Sequence, residues 1–371
     1  MTFGDRSGHK AQSGQSLTGF SLRVQILMFE ITREPTLTNS ELARADGDAA
    51  IVARSLQRTF KGGIEAVRDI YLTVGAGEVF GFLGPNGAGK TTTVRMLCTL
   101  LPPTSGSAAV AGLDVVAEAA DVRRRIGVAL QEIGLDPVQT GRELLELQCG
   151  LYGITGQRAR RRTDELLELV GLADAANRRT KTYSGGMKRR LDLASALVHS
   201  PEVLFLDEPT TGLDPASRLT IWEEVRRINA GGATVFLTTQ YLEEADKVCN
   251  RLAIIDNGRI VAEGTPQQLK AEMGHDVVSV SVEGADVAGT EAALCGLPGL
   301  ERLVVEADAL ALYVEDGARS IPEIVRCLER DRIRAGAISV ARPSLDDVFL
   351  KATGRRLEGQ QSTRQTSGVS S

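Results

Sequence analysis

The residues best placed for chemistry form the stretch 84–92, which has the sequence GPNGAGKTT. A glycine is followed, after four intervening residues, by Gly-Lys-Thr. In a loop with this spacing, backbone N–H groups can surround the phosphates of a nucleotide. The cation of Lys90 would neutralise β- and γ-phosphate oxygens, and the hydroxyl of Thr91 is a ligand for Mg²⁺. An apolar strand pattern precedes the loop and a helical pattern follows it, so a phosphate site is favoured over a functionless turn. The nucleotide-binding candidates are Gly84, Pro85, Asn86, Gly87, Ala88, Gly89, Lys90, Thr91 and Thr92.

Two carboxylates, Asp207 and Glu208, follow the apolar run VLFL. Asp207, at the predicted strand end, can hold the coordination shell of Mg²⁺, and Glu208 can reach a water that attacks the γ-phosphate. An Asp-Glu pair alone is a weak signal. It gains weight here because the carboxyl ends of parallel strands meet at one sheet edge, where the phosphate loop is also expected.

A second candidate anion site lies at Ser184, Gly185, Gly186 and Met187, where a helical pattern begins. Free N–H groups at a glycine-rich helix start bind anions. Because the sheet already has its phosphate loop, we expect this site to serve the nucleotide of a second copy in a symmetric dimer. A glycine N-cap without function is the alternative. It is disfavoured because the segment leads directly to the strand that carries the carboxylates.

Gln240 stands at the tip of another apolar run, ATVFLTT, at residues 233–239. If this run pairs with VLFLD, its tip faces the γ-phosphate. The amide of Gln240 can donate a hydrogen bond there, but it cannot become cationic near neutral pH. The alternative is that Gln240 only caps the helix that follows.

The elements that must position these residues follow from the hydrophobic pattern of residues 50–275. Apolar runs typical of strands covered on both faces alternate with helical patterns, which predicts an α/β fold with a mostly parallel sheet. Two strand patterns, AAIVARSLQ and EAVRDIYLTV, precede the phosphate loop and predict an N-terminal β-subdomain. At about residues 132–182 only helical spacing occurs, in ELLELQCGLYG and TDELLELVGL. This stretch is therefore predicted to be a helical insertion.

The remaining chain divides into a small domain and two tails. Residues 276–354 contain four strand patterns and the helical segment SIPEIVRCLERD, which predict a small α/β C-terminal domain ending in LDDVFLKATG. Residues 1–49 and 355–371 are polar and lack periodicity, so we expect disorder in both. No small-residue cleavage site follows the short apolar run near the N-terminus, which argues against a signal peptide.

Composition excludes several classes of protein. No stretch reaches the roughly 18 to 20 apolar residues that span a bilayer. The five cysteines and three histidines are scattered, which favours reduced thiols over a disulfide framework or a zinc site. A net charge of −5 gives no reason to expect nucleic acid as a partner, and the basic run RARRR is more typical of a solvated helix face.

Taken in order, the phosphate loop, Gln131, YSGGM, VLFLDEP and TTGLDP resemble the ATP-binding subunits of ABC transporters over about residues 50–270. The resemblance implies a P-loop NTPase core, ATP and Mg²⁺ as cofactors, a homodimer, and a peripheral position on the cytoplasmic face of the membrane beside an integral-membrane permease. It further implies that Gln131 contacts Mg²⁺ and the attacking water and that Asp214 lies at the dimer seam. Phe60 would stack on adenine with Val67 beside it. Members of the family usually carry histidine at the position of Gln240.

The variants YSGGM and TTQYLEEAD and the ending LDDVFLKATG resemble the ATPases of daunorubicin-resistance type. This narrower resemblance implies export of drugs or lipophilic metabolites. A lipid, polysaccharide or ion cargo remains an alternative, because cargo contacts would lie in the permease. A non-transport ABC ATPase is disfavoured, because the chain has one cassette and no long coiled-coil pattern.

Overall fold

The computed structural model describes residues 49–131, 134–272, 274, 276–282, 287–306, 309–333, 335–341, 343–355 and 357. The predicted disordered extension, residues 1–49, lies outside this part of the chain except for Ala49, which begins the first strand. The predicted disordered tail, residues 355–371, lies outside it except for Arg355 and Leu357.

A six-stranded sheet forms the centre of the first domain. In spatial order its strands are β10 (Arg259–Gly264), β9 (Arg251–Asp256), β3 (Val79–Leu83), β8 (Thr234–Thr239), β7 (Val203–Asp207) and β6 (Ile126–Ala129). All neighbours are parallel except β10, which is antiparallel to β9. Every residue of β3, β7 and β8 is buried, as strands covered on both faces must be. The predicted pairing of the strand before Gln240 with the strand ending in Asp207 is confirmed.

A second, antiparallel sheet contains both strands predicted before the phosphate loop. Its order is β2 (Ile64–Gly75), β1 (Ala49–Phe60), β4 (Ser105–Val110) and β5 (Leu113–Asp114). One hydrophobic core joins the two sheets. In it, the ring centroid of Phe236 on β8 lies 5.5 to 5.8 Å from the ring centroids of Phe80, Phe82 and Phe205. The phosphate loop is therefore anchored between two packed layers.

Helices connect the strands and form the predicted insertion. They are α1 (Lys90–Leu97), α2 (Ala119–Arg125), α3 (Gly141–Leu151), α4 (Gly156–Leu169), α5 (Gly185–Ala196), α6 (Pro215–Ala230), α7 (Leu242–Val248) and α8 (Pro266–Ala271). Described residues 134–182 fold into α3, α4 and two short 3₁₀ turns, and their core packs against α5. A bridge between Thr140 and Arg179 closes the base of the insertion. None of the helices in the described ranges combines the length and apolar character needed to cross a bilayer.

The C-terminal domain has a βαββαβ order. Its elements are β11 (Asp276–Val282), α9 (Val287–Leu294), β12 (Leu300–Glu306), β13 (Ala309–Val314), α10 (Gly317–Arg330) and β14 (Ala335–Ala341). The sheet order β12-β13-β11-β14, antiparallel throughout, is that of a ferredoxin-like split βαβ domain. The sequence patterns missed α9, a short segment of small residues without a clear apolar stripe.

The last helix, α11 (Leu345–Thr353), packs differently from the prediction. Its buried side chains Leu345, Val348 and Phe349 contact the first domain in a cluster with Leu83 and Leu242. Leu357, predicted to belong to a disordered tail, is also buried in that cluster. As a packing unit the small domain therefore ends with β14. The sequence showed that α11 has an apolar face but not which surface covers it.

Candidate functional site

The loop between β3 and α1 requires glycine at two of its positions. A Cβ atom at Gly84 would lie 2.3 Å from the carbonyl oxygen of Ile255. Gly89 has φ +107°, and a Cβ atom there would lie 2.4 Å from the carbonyl oxygen of Ala66. No side chain fits at either position, because β2 and β9 press directly on the loop. The free N–H groups at the start of α1 then lie where an anion can bind.

The loop forms one wall of a cleft of about 560 Å³, a size suited to a small-molecule ligand. The cleft brings together half of the predicted site residues, although they come from distant parts of the chain. The lining residues are Phe60, Ile64, Ala66, Asn86, Gly87, Gly89, Lys90, Thr91, Thr92, Gln131, Glu208, Thr211 and Gln240. The remaining loop positions, Gly84, Pro85 and Ala88, contribute their backbone to the same turn.

Lys90 and Glu208 form a buried ion pair at the floor of the cleft. The Lys90 Nζ lies 3.1 Å from the Glu208 Oε1, and both side chains are almost completely buried. Lys90 also donates to the carbonyl oxygens of Gly84 and Pro85, at 2.8 and 3.1 Å. The Thr211 hydroxyl donates to the second carboxylate oxygen of Glu208, at 3.2 Å. The carboxylate is therefore held in place by a cation that a phosphate group would also attract.

Asp207 has a buried carboxylate oxygen that suits a cation. Its Oδ1 accepts hydrogen bonds from the hydroxyls of Thr91 (3.3 Å) and Thr238 (2.5 Å). Its Oδ2 is buried and has no hydrogen-bond partner among the described residues. A buried carboxylate oxygen without a partner is costly, and a divalent cation would satisfy it. Asp207 does not line the cleft itself, but it is joined to the Thr91 hydroxyl, and Thr91 and Gln131 both line the cleft. All three side chains carry oxygen donors of the kind that Mg²⁺ prefers.

Gln131 and Gln240 reach the cleft from two other elements. Gln131 follows β6 and is exposed on the cleft wall, directly before the helical insertion. Gln240 is half-buried at the end of β8. The alternative of a helix cap is not supported, because the N-cap residue of α7 is Tyr241. The side chain that bonds at this turn is Thr239, whose hydroxyl accepts from the Tyr241 N–H at 2.9 Å.

The predicted adenine contacts are only partly placed at the cleft. Phe60 lies at the rim, 38% exposed, with the Arg58 guanidinium 4.9 Å from its ring centroid. Val67 is 1% exposed, belongs to the core and does not line the cleft, so its contact with adenine stays a prediction. Successive side chains of a strand point to opposite faces, and on β2 the side facing the cleft carries Ile64 and Ala66.

Ser184, Gly185, Gly186 and Met187 do not line the cleft of their own chain. The Ser184 hydroxyl caps α5 by accepting from the Met187 N–H at 3.2 Å. A Cβ atom at Gly186 would lie 2.8 Å from the Ser217 hydroxyl, so this turn packs against the start of α6. Asp214 caps α6, and hydrogen bonds from the Ser217 side chain and backbone lower the pKa of its carboxyl. These residues form a second polar surface, which we call the α5–α6 seam.

Two buried ionic groups beside the site escaped the sequence patterns. The Glu244 carboxylate accepts from the Thr210 hydroxyl and the Trp222 indole N–H, both at 2.9 Å, and its burial raises the pKa of the carboxyl. Glu244 thereby connects α7, which follows Gln240, to the segment after Glu208. The second group is the guanidinium of Arg189 on α5. A helical projection could have revealed Arg189, because it lies on the buried face with Gly186, Leu193 and Ala196.

Asp192 beside Arg189 leads to a prediction on pH and stability. Burial raises the pKa of its carboxyl from 3.8 to about 6, although the Arg189 guanidinium 3.3 Å away lowers it in part. An acid whose pKa rises on folding contributes stability below its unfolded pKa and loses it as the pH rises through 6. Relative to Asp192→Asn, the wild type should therefore lose about 1 kcal/mol of unfolding free energy between pH 5 and pH 7. Urea unfolding at both pH values measures this difference. The exposed Asp164→Asn is the control, and an equal pH dependence in all three proteins would contradict the prediction.

Comparison with known proteins gives two family matches. Residues 67–211 match the model described as ABC transporter, and residues 264–353 match the C-terminal domain of ATP-binding proteins of DrrA1-3 type. The second match begins earlier than the predicted boundary at residue 276 and includes α11.

Curated relatives extend over most of the chain. The daunorubicin resistance ATP-binding protein DrrA3 of Streptomyces coeruleorubidus is 47% identical, covering 83% of this chain and 96% of the relative. The doxorubicin resistance ATP-binding protein DrrA of Mycobacterium tuberculosis is 44% identical, over 82% and 94%. The Nod factor export ATP-binding protein I of Burkholderia thailandensis is 44% identical, over 76% and 90%.

Solved structures resemble the first domain. An ATP-binding subunit of an ABC transporter superposes with a TM-score of 0.55 and 27% identity, covering 61% of this chain and 93% of the other. A dimeric ATP-binding cassette in a post-hydrolysis state with ADP and phosphate superposes with a TM-score of 0.53 and 27% identity, over 58% and 98%.

Proposed function

The chain belongs to the family of ATP-binding subunits of ABC transporters, and we propose that it drives export of drugs or lipophilic metabolites through a separate membrane permease. ATP binding and hydrolysis coupled to transport are the activities of this family and of this chain. The observation that carries the proposed cargo is the 47% identity, over 83% of the chain, to a protein named for daunorubicin resistance.

Each group at the cleft has a role in the proposed reaction. Lys90 and the N-terminus of α1 bind the β- and γ-phosphates, and Glu208 accepts a proton from the attacking water. Thr91, Asp207 and Gln131 would hold Mg²⁺, whose charge stabilises the negative charge that develops on the transferring phosphate. The γ-phosphate competes with Glu208 for Lys90, and its arrival releases the carboxylate to act as a base. The buried Lys90–Glu208 pair supports this order of events.

Two copies of the chain are proposed to share their nucleotides. The α5–α6 seam carries Ser184, Gly185, Gly186 and Asp214 away from the cleft of its own chain. In a symmetric dimer the seam of one copy can close the cleft of the other, so that the glycine-rich start of α5 faces the γ-phosphate. The dimeric form of a related cassette with ADP and phosphate supports this arrangement.

The helical insertion is the proposed docking surface for the permease at the cytoplasmic face of the membrane. On α3, Leu147 and Leu151 are 52% and 72% exposed, and their spacing of four residues puts them on one face of the helix. Val138, also in the insertion, is 62% exposed. Large apolar side chains exposed together are typical of protein interfaces. Gln131 directly precedes this segment in the sequence. A movement of the insertion on binding to the permease can therefore shift Gln131, one of the proposed Mg²⁺ ligands.

Efflux of fluorescent daunorubicin from cells that express the chain with its permease tests the proposal. The double change Leu147→Asp and Leu151→Asp should reduce energy-dependent efflux at least tenfold, because it places two charges in an apolar interface. The isolated subunit should still hydrolyse ATP at the wild-type rate, since α3 does not line the cleft. Val116→Asp, an equally exposed position outside the insertion, serves as the control.

Three outcomes of this assay are informative. Normal efflux by the double variant contradicts the docking surface. Permease-stimulated ATP hydrolysis without any daunorubicin efflux contradicts the drug cargo and favours a lipid, polysaccharide or ion. The 44% identity to a protein named for Nod factor export shows that relatives of this chain are not all named for drug resistance. A chain that hydrolyses ATP without associating with any permease would instead favour a non-transport ABC ATPase.

A further inference from the structure

Arg189 is a buried cation to which the reaction proposed above assigns no role. It lies on α5, five residues after the cap at Ser184, and its side chain is 4–5% exposed. Burial lowers the pKa of its guanidinium, but an arginine remains charged in a protein. A buried charge is retained at a cost in free energy, so its contacts indicate what it does.

Three of the four contacts of Arg189 are to backbone carbonyl oxygens of other segments. Its Nη1 donates to the oxygen of Leu130 at 2.5 Å, its Nε to that of Pro209 at 3.0 Å, and its Nη2 to that of Asp207 at 3.0 Å. The fourth contact is the carboxylate of Asp192, 3.3 Å away on the same helix. Because the guanidinium is planar and its N–H groups have fixed directions, it holds these segments in one mutual arrangement.

The three carbonyl groups have in common that they adjoin residues proposed to act on ATP. Asp207 and Pro209 flank Glu208, and Leu130 precedes Gln131. Glu208 has φ +50°, in the left-handed region that residues other than glycine rarely adopt. A residue in that conformation persists only where its surroundings hold it there. The two carbonyl bonds from Arg189, one on each side of Glu208, provide such a constraint.

We propose that Arg189 is a positioning residue for ATP hydrolysis, which holds the backbone at Glu208 and Gln131 in register with α5. The inference rests on the proposed roles of these two residues. Arg189 does not line the cleft, and it acts through the backbone that carries the base. Since α5 begins at the α5–α6 seam, the same contacts connect the surface facing the partner's nucleotide to the chain's own base.

The next residue, Arg190, provides a matched control. Its Nη1 donates to the carbonyl oxygens of Val170 and Gly171, at 2.8 and 3.3 Å, beyond the end of α4. Like Arg189, Arg190 lies on α5 and donates to backbone carbonyl groups. These carbonyl groups belong to the helical insertion, however, and not to the segment beside Glu208. Lysine keeps the positive charge at either position. Its single ammonium group cannot replace the planar guanidinium of Arg189, whose N–H groups donate in three directions.

The experiment compares Arg189→Lys and Arg190→Lys in the full chain by steady-state hydrolysis and by binding of a fluorescent ATP analogue. For Arg189→Lys we expect kcat to fall at least tenfold, with KM and the Kd of the analogue within about twofold of wild type. For Arg190→Lys all three should stay within about twofold. Thermal unfolding shows whether each variant is folded. If Arg189→Lys is not folded at the assay temperature, Arg189→Gln, which keeps an N–H donor, replaces it.

A double variant separates positioning from general weakening. If Arg189 acts through Glu208, then Arg189→Lys added to Glu208→Gln should lower the residual rate by less than twofold, because effects of residues that act as a unit do not add. A full tenfold further loss would overturn the proposal, as would wild-type kcat in Arg189→Lys or an equal loss in both arginine variants. A wild-type chain that does not hydrolyse ATP would instead overturn the proposed function itself.

Discussion

Glu208→Gln should lower the rate of ATP hydrolysis at least a hundredfold and convert the chain into a stable dimer holding two ATP molecules. Glutamine has the shape of glutamate but cannot accept the proton of the attacking water, and a general base contributes about 10² to 10⁴ in rate. The change also removes the negative charge that pairs with Lys90 at 3.1 Å. Lys90 is then free to bind the phosphates, so ATP binding should be retained or strengthened.

Light scattering with saturating ATP and Mg²⁺ measures the dimer, and nucleotide recovered from it gives the stoichiometry. Glu202→Gln is a suitable control, because it removes a carboxylate that is 59% exposed just before the same strand. A protein that stays monomeric with saturating ATP, even in the presence of the permease, would contradict the shared site. Wild-type turnover in Glu208→Gln would contradict its role as the base.

Gln240→Ala should reduce hydrolysis by about ten- to a hundredfold while ATP binding stays nearly intact. A hydrogen bond to a charged group contributes about 1.5 to 3 kcal/mol, which corresponds to that range if it is fully felt in the transition state. The helix after Gln240 should not be disturbed, because the Thr239 hydroxyl, and not Gln240, accepts from the Tyr241 N–H. Gln240→His should retain or raise activity, since an imidazole can make the same contact and can also become cationic.

The rates are to be compared with the permease in lipid, where the coupled reaction occurs. Gln267→Ala, an exposed glutamine on α8, is the control for loss of an amide side chain. An alanine variant of Gln240 with wild-type turnover would leave this residue without a role in catalysis. A parallel loss of ATP affinity would assign it to nucleotide binding instead.

Local patterns predicted much of the candidate site because its parts are short and chemically specific. The phosphate loop needs glycine where β2 and β9 approach its backbone, and Asp207 needs a buried strand to bring it to the sheet edge. Both the glycines of the loop and the apolar strand before Asp207 can be recognised within a short stretch of consecutive residues. The strand pattern did not show which face of β2 carries Val67, because a shift of one residue along a strand moves a side chain to the opposite face.

The sequence by itself indicated most of the strands and helices, with α9 as an exception, together with the phosphate loop, the carboxylates at the end of β7, and the family. Only the tertiary structure decided which groups meet across long separations. Arg189 reaches a carbonyl oxygen 59 residues away in sequence, and α11 packs on the first domain and not on the small sheet before it. The physical reason is that hydrophobic periodicity shows which face of an element is buried, but not what covers it. Contacts to backbone carbonyl groups leave even less trace, since every residue has one.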